Sequence, residues 1–532
     1  MCEVNSRNFK FLYPEIKKKL QESKFCSIDA EFSALDPLPN KKASIFDTPS
    51  ERYSKLNANL SAVVPLQVGL TAFSFDPKKN SYLGKVYTFY VQPASFQYIH
   101  RSFYMQTGTI NFLRLYNFDF NKFAYDGIPF MNRDQELRLR DKMSTDEVSE
   151  INNSCKNALE EIIDRQINQV KNWYAEAPIG TTLVLPKVCT EGCSNEEIVF
   201  FVHKTFRSMC KNLWTYMENG EFVVKKVSPE EYSKLNSKYC LEDETIDNLL
   251  GFSKVFRLLV ELKKPIVGHN VFQDLLLIVG NFETALPEKY LDFKKLISKL
   301  LPNIFDTKSI SYELKPMLPK EKQWIDNGLN IIFNYFKNGF GRVLATNSPA
   351  IEMDDPQLEY DHFHNAGWDS FCTGYVFVRL AHLNIYQKYP SSKRFVPSEL
   401  IAGLEQYKNR INIIRGSTSY INLDKADPES NRPPKLVIES LKNRPVNVAQ
   451  VTALLSTYGF VEIKRLPYQK YRALIAIDNY ANARRILTHF NTNDSEYRIS
   501  KYHPLRHSAG IRVIFVSCLA VSSAAVLWFT FR

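Results

Sequence analysis

Three apolar runs of strand length crowd the first hundred residues: FCSID at 25–29, VPLQVGLTAFSF at 64–75 and GKVYTFYVQP at 84–93, the last two separated by the turn-forming stretch Asp76–Asn80. Such runs have to pair with one another and be covered by other layers. An amphipathic helical pattern at 8–22 precedes them and further helical patterns follow, so the chain is expected to build a mixed sheet in an α/β domain. One detail is out of keeping with a buried strand: the first run closes on Asp29 and Glu31. Residues two apart on a strand face the same way, so both carboxylates point together while Ala30 points opposite. Like charges on one face repel, and a divalent cation is the usual means of holding them there. An Asp-x-Glu pair alone occurs by chance in most long chains, so the argument turns on what else the chain offers.

Two further acids stand in equally apolar surroundings. Asp274 lies in HNVFQDLLLIV, on a helix lined by Val271, Phe272 and Leu275–Ile278 that follows a short strand and the turn at Gly268. Asp369 lies in HNAGWDSFCTGYVFV, in the first turn of another apolar helix, five residues after His364. Taken singly, each acid reads as a first-turn carboxylate favoured by the helix macrodipole, and His364 as a turn histidine. Taken together, four acids from three elements can converge on two metal ions, which in such sites lie roughly 3.5–4 Å apart and clamp the attacking and leaving oxygens of a phosphodiester. His364 is then placed to take the proton from the attacking water.

The segments SIDAEFSAL, VGHNVFQDLLLIV and HNAGWDSFCTGYVF resemble the three motifs of DEDDh 3′-to-5′ exonucleases. INFLRLYNFDFNKFAYDGIPFMNRDQELRLRD and NIFDTKSIS resemble matching segments of the poly(A)-specific ribonuclease family, and the likeness covers most of residues 8–415. The resemblance implies an RNase H-like DEDD exonuclease core in which Asp29, Glu31, Asp274 and Asp369 bind two Mg2+ ions, with Mn2+ as a substitute, and His364 is the general base. It further implies that Phe32 stacks the terminal nucleotide and that His269 and Asn270 shape the ribose pocket, where a 2′-hydroxyl marks RNA. For Phe32, a core aromatic on the opposite strand face is the equal alternative. The implied function is 3′-to-5′ trimming of single-stranded RNA with release of 5′-mononucleotides. The membrane-anchored branch of the family trims piRNA precursors, which brings in a PIWI protein holding the RNA and a Tudor-domain scaffold. Deadenylation of messenger RNA tails and a catalytically silent, membrane-tethered RNA-binding role are the alternatives.

The length of 532 residues demands more than one core, and 44% apolar residues exclude wholesale disorder. Residues 1–140 and 261–415 read as two parts of the nuclease domain around an inserted α+β domain at 141–260. The family places there a nucleic-acid-binding domain named for an Arg-x-x-x-His motif, which does not occur between 140 and 255. A linker rich in Ser, Pro, Asn and Asp at 416–434 leads to residues 435–502, which read strand, helix, strand, strand, helix, strand, the order of an RNA-recognition fold. That stretch carries 11 basic residues against 5 acidic, over half of the formal charge of +11, which favours an anionic partner, nucleic acid or lipid. Its strand YRALIAID lacks the paired inner aromatics that stack bases, so phosphate binding through Arg465, Lys470 or Arg472 and a purely protein-contact role stand level.

The cysteines are scattered and no signal-peptide pattern opens the chain, so a cytosolic bulk with reduced thiols is expected. Cys189, Cys193, His203 and Cys210 follow no standard zinc spacing. From Val513 to Phe531 there are 19 residues without a charge, about 28 Å as a helix. With Lys501, Arg506 and Arg512 on its N-terminal side, residues 511–531 are expected to be a transmembrane tail anchor with the domains facing the cytosol. The mitochondrial outer membrane is the expected location, with the endoplasmic reticulum membrane as the alternative.

Overall fold

The computed structural model describes residues 1–145, 156–185, 196–218, 221–354, 363–390, 393–430, 432–442, 444–466, 469–491, 496–507 and 509–530. They form two compact units, residues 1–39 with 57–412 and residues 40–56 with 413–532. Residues 40–56, which precede most of the larger unit in sequence, group with the C-terminal part.

The larger unit is built on an eight-stranded mixed sheet. Its strands begin with β1 (Cys2–Val4), β2 (Phe25–Phe32), β3 (Pro65–Asp76), β4 (Ser81–Pro93) and β5 (Ile128–Phe130). A separate three-stranded sheet then follows, β6 (Thr182–Leu185), β7 (Leu213–Glu218) and β8 (Glu221–Lys226), in the order β6-β8-β7. The main sheet resumes with β9 (Ile266–Gly268), β10 (Ile304–Asp306) and β11 (Ala350–Met353), and β12 (Arg410–Asn412) ends the unit. The order is β1-β4-β3-β2-β9-β10, with β5 and β11 also on β4. β2–β3 and β3–β4 are antiparallel, while β9 runs parallel to both β2 and β10. In the β2–β3 register Ser27 faces Thr71, Asp29 faces Gly69 and Glu31 faces Gln67, and a bulge falls between Glu31 and Phe32.

Period-2 alternation gives each sheet face its own layer. One face packs on the helix Ala366–Lys388, which is apolar around its circumference and buried along nearly all of its length, as such a helix must be. Phe25 stacks on Phe73 at 4.7 Å and meets Phe377 of that helix edge-on at 5.1 Å. Full burial of a phenylalanine is worth about 1.5–3 kcal/mol, so this cluster fixes the helix firmly over β2 and β3. On the other face, Ile28, Val68 and Leu70 meet Phe256 and Leu259 of the helix Ser253–Leu262.

Beside this small sheet His203 is buried with Nδ1 2.7 Å from the Thr215 hydroxyl, and Arg207 donates to the same hydroxyl and to the Thr215 carbonyl. Both side chains hold a helix to β7. Cys189 and Cys193 lie outside the described residues, and Cys210 is a free thiol.

The smaller unit contains β13 (Tyr420–Asn422) and a four-stranded antiparallel sheet of β14 (Leu436–Ser440), β15 (Val461–Arg465), β16 (Arg472–Ile477) and β17 (Tyr497–Lys501), in the order β15-β16-β14-β17. A helix follows β14 (Val448–Ser456) and another follows β16 (Tyr480–Asn491). Leu436, Ile438, Ile475 and Ile486 belong to the core between sheet and helices.

The C-terminal segment forms the helix Ala509–Thr530, but among the described residues no helix is long and apolar enough to cross a membrane. The expected tail anchor at 511–531 is corrected accordingly, and with it the location in the mitochondrial outer membrane or endoplasmic reticulum and the membrane as a partner. Freedom from charge is a weaker condition than apolarity. Ser517, Ser522 and Ser523 interrupt the run, and the Ser522 hydroxyl turns back to the Cys518 carbonyl (2.8 Å).

Candidate metal centre

Asp29 and Glu31 end β2 half-buried, on the sheet face covered by the Ala366 helix. The opposing strand brings the helix down to them. Gly69 faces Asp29, and the space its side chain would fill is taken by the helix's first turn: a Cβ there would stand 1.7 Å from the Ala366 carbonyl oxygen. Gln67, facing Glu31, accepts the Ala366 N–H (2.9 Å). Ser27 donates to the Ser370 carbonyl (2.5 Å), and Thr71 is hydrogen-bonded to the Ser370 hydroxyl (2.7 Å). Asn365 caps the helix by accepting from the N–H groups of Gly367 and Trp368. These bonds deliver Asp369, 8% exposed, to the end of β2.

His364 arrives by a different device. Its N–H donates to Asp369 Oδ2 (3.0 Å), which holds the residue in the left-handed region at φ 67°, a conformation costing about 1–2 kcal/mol outside glycine. Its ring is wedged between Tyr116 (4.0 Å) and Phe112 (4.7 Å, edge-on) at the end of the helix Thr107–Leu115. The outcome is that the ligand-type atoms of Glu31, His364 and Asp369 all lie within 4.8 Å of one another.

Asp274 lies in the first turn of the helix Phe272–Phe282 and is buried. The turn before it is organised by Asp306, a fully buried carboxylate that receives five backbone N–H groups, from Asn270 (2.9 Å), Val271 (3.3 Å), Lys308 (2.9 Å), Ser309 (3.3 Å) and Asn412 (2.9 Å). Asn270 is itself left-handed, at φ 61°.

Charge accumulates accordingly. Desolvation, and then the charges of Asp369, Asp274 and Glu31, raise the Asp29 carboxyl well above its ordinary range. Glu31 is raised the same way by desolvation, Asp369 and Asp274. Burial lifts Asp274 to about 7 against the pull of backbone N–H groups, and lifts Asp369 to about 7 against the His364 N–H. Burial also lowers His364, keeping its ring neutral. The tight set is Glu31, His364 and Asp369; Asp29 and Asp274 join it as electrostatic neighbours. Whether these residues suit a cation is tested by Asp369 Oδ1, which is buried with no hydrogen-bond partner. An orphaned buried acceptor costs about 1–3 kcal/mol, and a hard divalent cation among carboxylates would remove that cost. The donor set fits.

The residues expected to contact substrate fare unequally. Phe32 is half-buried just past the bulge. His269 is engaged by the protein through both nitrogens, with Nε2 donating to the Asn327 carbonyl (3.2 Å) and Nδ1 2.9 Å from the Thr307 hydroxyl. Burial lowers it to about 3. The Asn270 side-chain oxygen accepts from Asn412 (2.7 Å). Sequence reasoning missed Gln67, Gly69, Thr71, Asp306 and Asn412. A signal existed for Gly69, because a lone glycine inside an apolar strand marks close backbone approach.

Comparison with known proteins places the chain in a family. The model of the CAF1 family ribonuclease matches residues 4–377. Over 530 residues the chain is 33% identical to the "Pre-piRNA 3'-exonuclease trimmer" of Bombyx mori, covering 99% of this chain and 98% of that one. It is 30% identical to "Poly(A)-specific ribonuclease PNLDC1" of Homo sapiens (94% and 96% covered) and 26% identical to "Poly(A)-specific ribonuclease PARN" of Homo sapiens (87% and 74% covered). The family match runs from β1 into the helix that carries Asp369, and so includes every strand and helix that supplies one of the four acids: the chain belongs to the CAF1 family of ribonucleases and is a 3′-to-5′ exonuclease acting on RNA.

Proposed function

We propose that Asp29, Glu31, Asp274 and Asp369 hold two divalent cations, Mg2+ or Mn2+, and that His364 is the general base of a DEDDh-type exonuclease. The observation that carries this is the convergence of Glu31, His364 and Asp369 within 4.8 Å beside the orphaned Asp369 Oδ1. Bound cations would supply charge compensation for the phosphodiester and for the leaving 3′ oxygen. The neutral His364 ring accepts the proton of the attacking water, and Tyr116 and Phe112 keep that ring from turning away. Phe32 stacks the terminal base. Asn270 lines the ribose site, with His269 behind it as an orienting residue rather than a direct contact.

The substrates are single-stranded 3′ ends, released as 5′-mononucleotides. In this reading they are piRNA precursors held by a PIWI protein on a Tudor-domain scaffold. Support comes from the printed name of the Bombyx mori relative and its near full-length likeness. Removal of poly(A) tails is the second reading, favoured by the names of the other relatives. The βαββαβ unit at 435–502 is, in the same proposal, of the RNA-recognition class.

The test is the purified full chain with 5′-labelled RNA and Mg2+ or Mn2+, comparing wild type with Asp29→Ala. Stepwise shortening by the wild type that is abolished in a folded variant is expected. Shortening that survives Asp29→Ala, or that needs no divalent cation, would sink the assignment. Equal rates on mixed-sequence RNA and oligo(A) favour the trimming reading, and strong adenosine preference favours the other.

A further inference from the structure

Strand alternation in the smaller unit sends Leu436, Ile438, Val461, Ile463, Ala473, Ile475 and Ile477 to the helix-packed core, which leaves the residues between them on the opposite face. In an RNA-recognition fold that open face takes the bases. Here it is already in use. Ile45 and Phe46, 4% and 8% exposed, pack on Ala476 and Leu474 of β16. Glu462, directly across from Ala476 in the β15–β16 register, accepts from the Ser44 hydroxyl (2.5 Å) and the Ile45 N–H (2.8 Å). Lys435 lies over the Phe46 ring at 5.4 Å. The segment is tied behind as well: Arg52, 5% exposed, donates to Asp47 (3.2 Å) and to the carbonyls of Ser44 (2.9 Å), Ile414 (2.7 Å) and Arg415, and the Asp47 carbonyl accepts the Ser417 N–H (3.0 Å).

We propose that the open face of this sheet is a docking site for the chain's own residues 44–47 and does not take RNA bases. Its chemistry is complementary to that segment: a carboxylate for one hydroxyl and one N–H, and small and aliphatic side chains for Ile45 and Phe46. The missing inner aromatics then have a reason, since the docked segment supplies Phe46 to this face. Period 2 puts Lys435, Lys464 and Arg472 on this same face, where Lys435 lies over the Phe46 ring and Arg472 pairs with Glu439.

Hydrogen–deuterium exchange on the full-length protein tests this with wild type, Glu462→Ala and Glu462→Gln. Glu462→Ala should speed exchange of peptides covering 44–47 by about tenfold or more, with Glu462→Gln intermediate because its amide oxygen can still accept. Saturating mixed-sequence RNA should leave protection of 44–47 unchanged, and ultraviolet cross-links should avoid peptides carrying Leu474 and Ala476. Unaltered exchange in Glu462→Ala, or RNA that both deprotects 44–47 and cross-links to β16, would overturn the proposal. If Glu462→Ala also deprotects β14 and β16, the unit has unfolded. Ser44→Ala, which removes only the segment's hydroxyl, then carries the same test.

Discussion

Gly69→Ala isolates the role of helix placement from that of the acids. Real Cβ atoms essentially never come within 3.0 Å of another atom, yet the new methyl would stand 1.7 Å from the Ala366 carbonyl oxygen, 2.0 Å from its carbon and 2.6 Å from the Gly367 nitrogen. All three are backbone atoms, so no side chain can swing aside, and β3 and the helix must part by about 1.3 Å. Asp369 and His364 travel with that helix end, while Glu31 stays on β2. Displacements near 1 Å cost on the order of 100-fold in rate. Overpacking costs typically about 1–3 kcal/mol of stability, which a protein of this size survives folded. The expected result is a single-turnover trimming rate about 100-fold below wild type, RNA binding changed only a few-fold, and a melting temperature a few degrees lower. Gly108→Ala is the control, because a Cβ there meets nothing within 4 Å. A Gly69→Ala enzyme within threefold of wild-type rate would refute the idea that this contact sets the metal centre.

Asp306→Asn keeps the shape of the side chain but replaces one acceptor oxygen with a donor facing N–H groups. Loss of about 2–3 kcal/mol by chemical denaturation, together with a fall in trimming rate from the slackened Asn270 turn, is expected; unchanged stability would count against its organising role. Tyr116→Ala removes the ring 4.0 Å from His364 and should lower the maximal rate roughly tenfold with RNA affinity nearly constant, while stability moves by less than about 1 kcal/mol because Tyr116 is exposed. His203 offers a pH test. Burial, and then the charge of Arg207, lower it to about 3 from an ordinary 6.5. The neutral ring is the folded form, so its stability contribution is whole above pH 6.5 and is lost as pH falls toward 3. Between pH 7.5 and 5 the loss is about 2 kcal/mol. Denaturant melts of wild type and His203→Gln at the two values check this, with the acid sensitivity smaller in the variant.

What could be read without coordinates divides by range. That Asp29 and Glu31 share a face follows from period 2, and that Asp274 and Asp369 open helices follows from the Gly268 turn and the Asn365 cap; both are properties of a few adjacent residues. That the acids belong together rests in the sequence only on their types, and the residues that bring Glu31, His364 and Asp369 within 4.8 Å of one another are not legible there. Gly69, Gln67 and Thr71 gain meaning only from the β2–β3 register, which a chain does not declare, since shifting it by one residue would turn every one of these side chains to the other face. Asp306 was masked by a second, local role: it does cap the helix that follows it, through Lys308 and Ser309, and that alone accounts for an acid at the end of a strand. Its bonds to Asn270 and Asn412 span 36 and 106 residues of chain. The grouping of residues 40–56 is illegible for the same cause, their partners at Glu462 and Ile414 lying hundreds of positions away. The C-terminal run differs in kind: it is free of charge, yet with Ser517, Ser522 and Ser523 inside it the helix is not apolar enough for a membrane span. Local chemistry therefore picks out the candidate acids, and only the fold identifies the neutral residues packed around them.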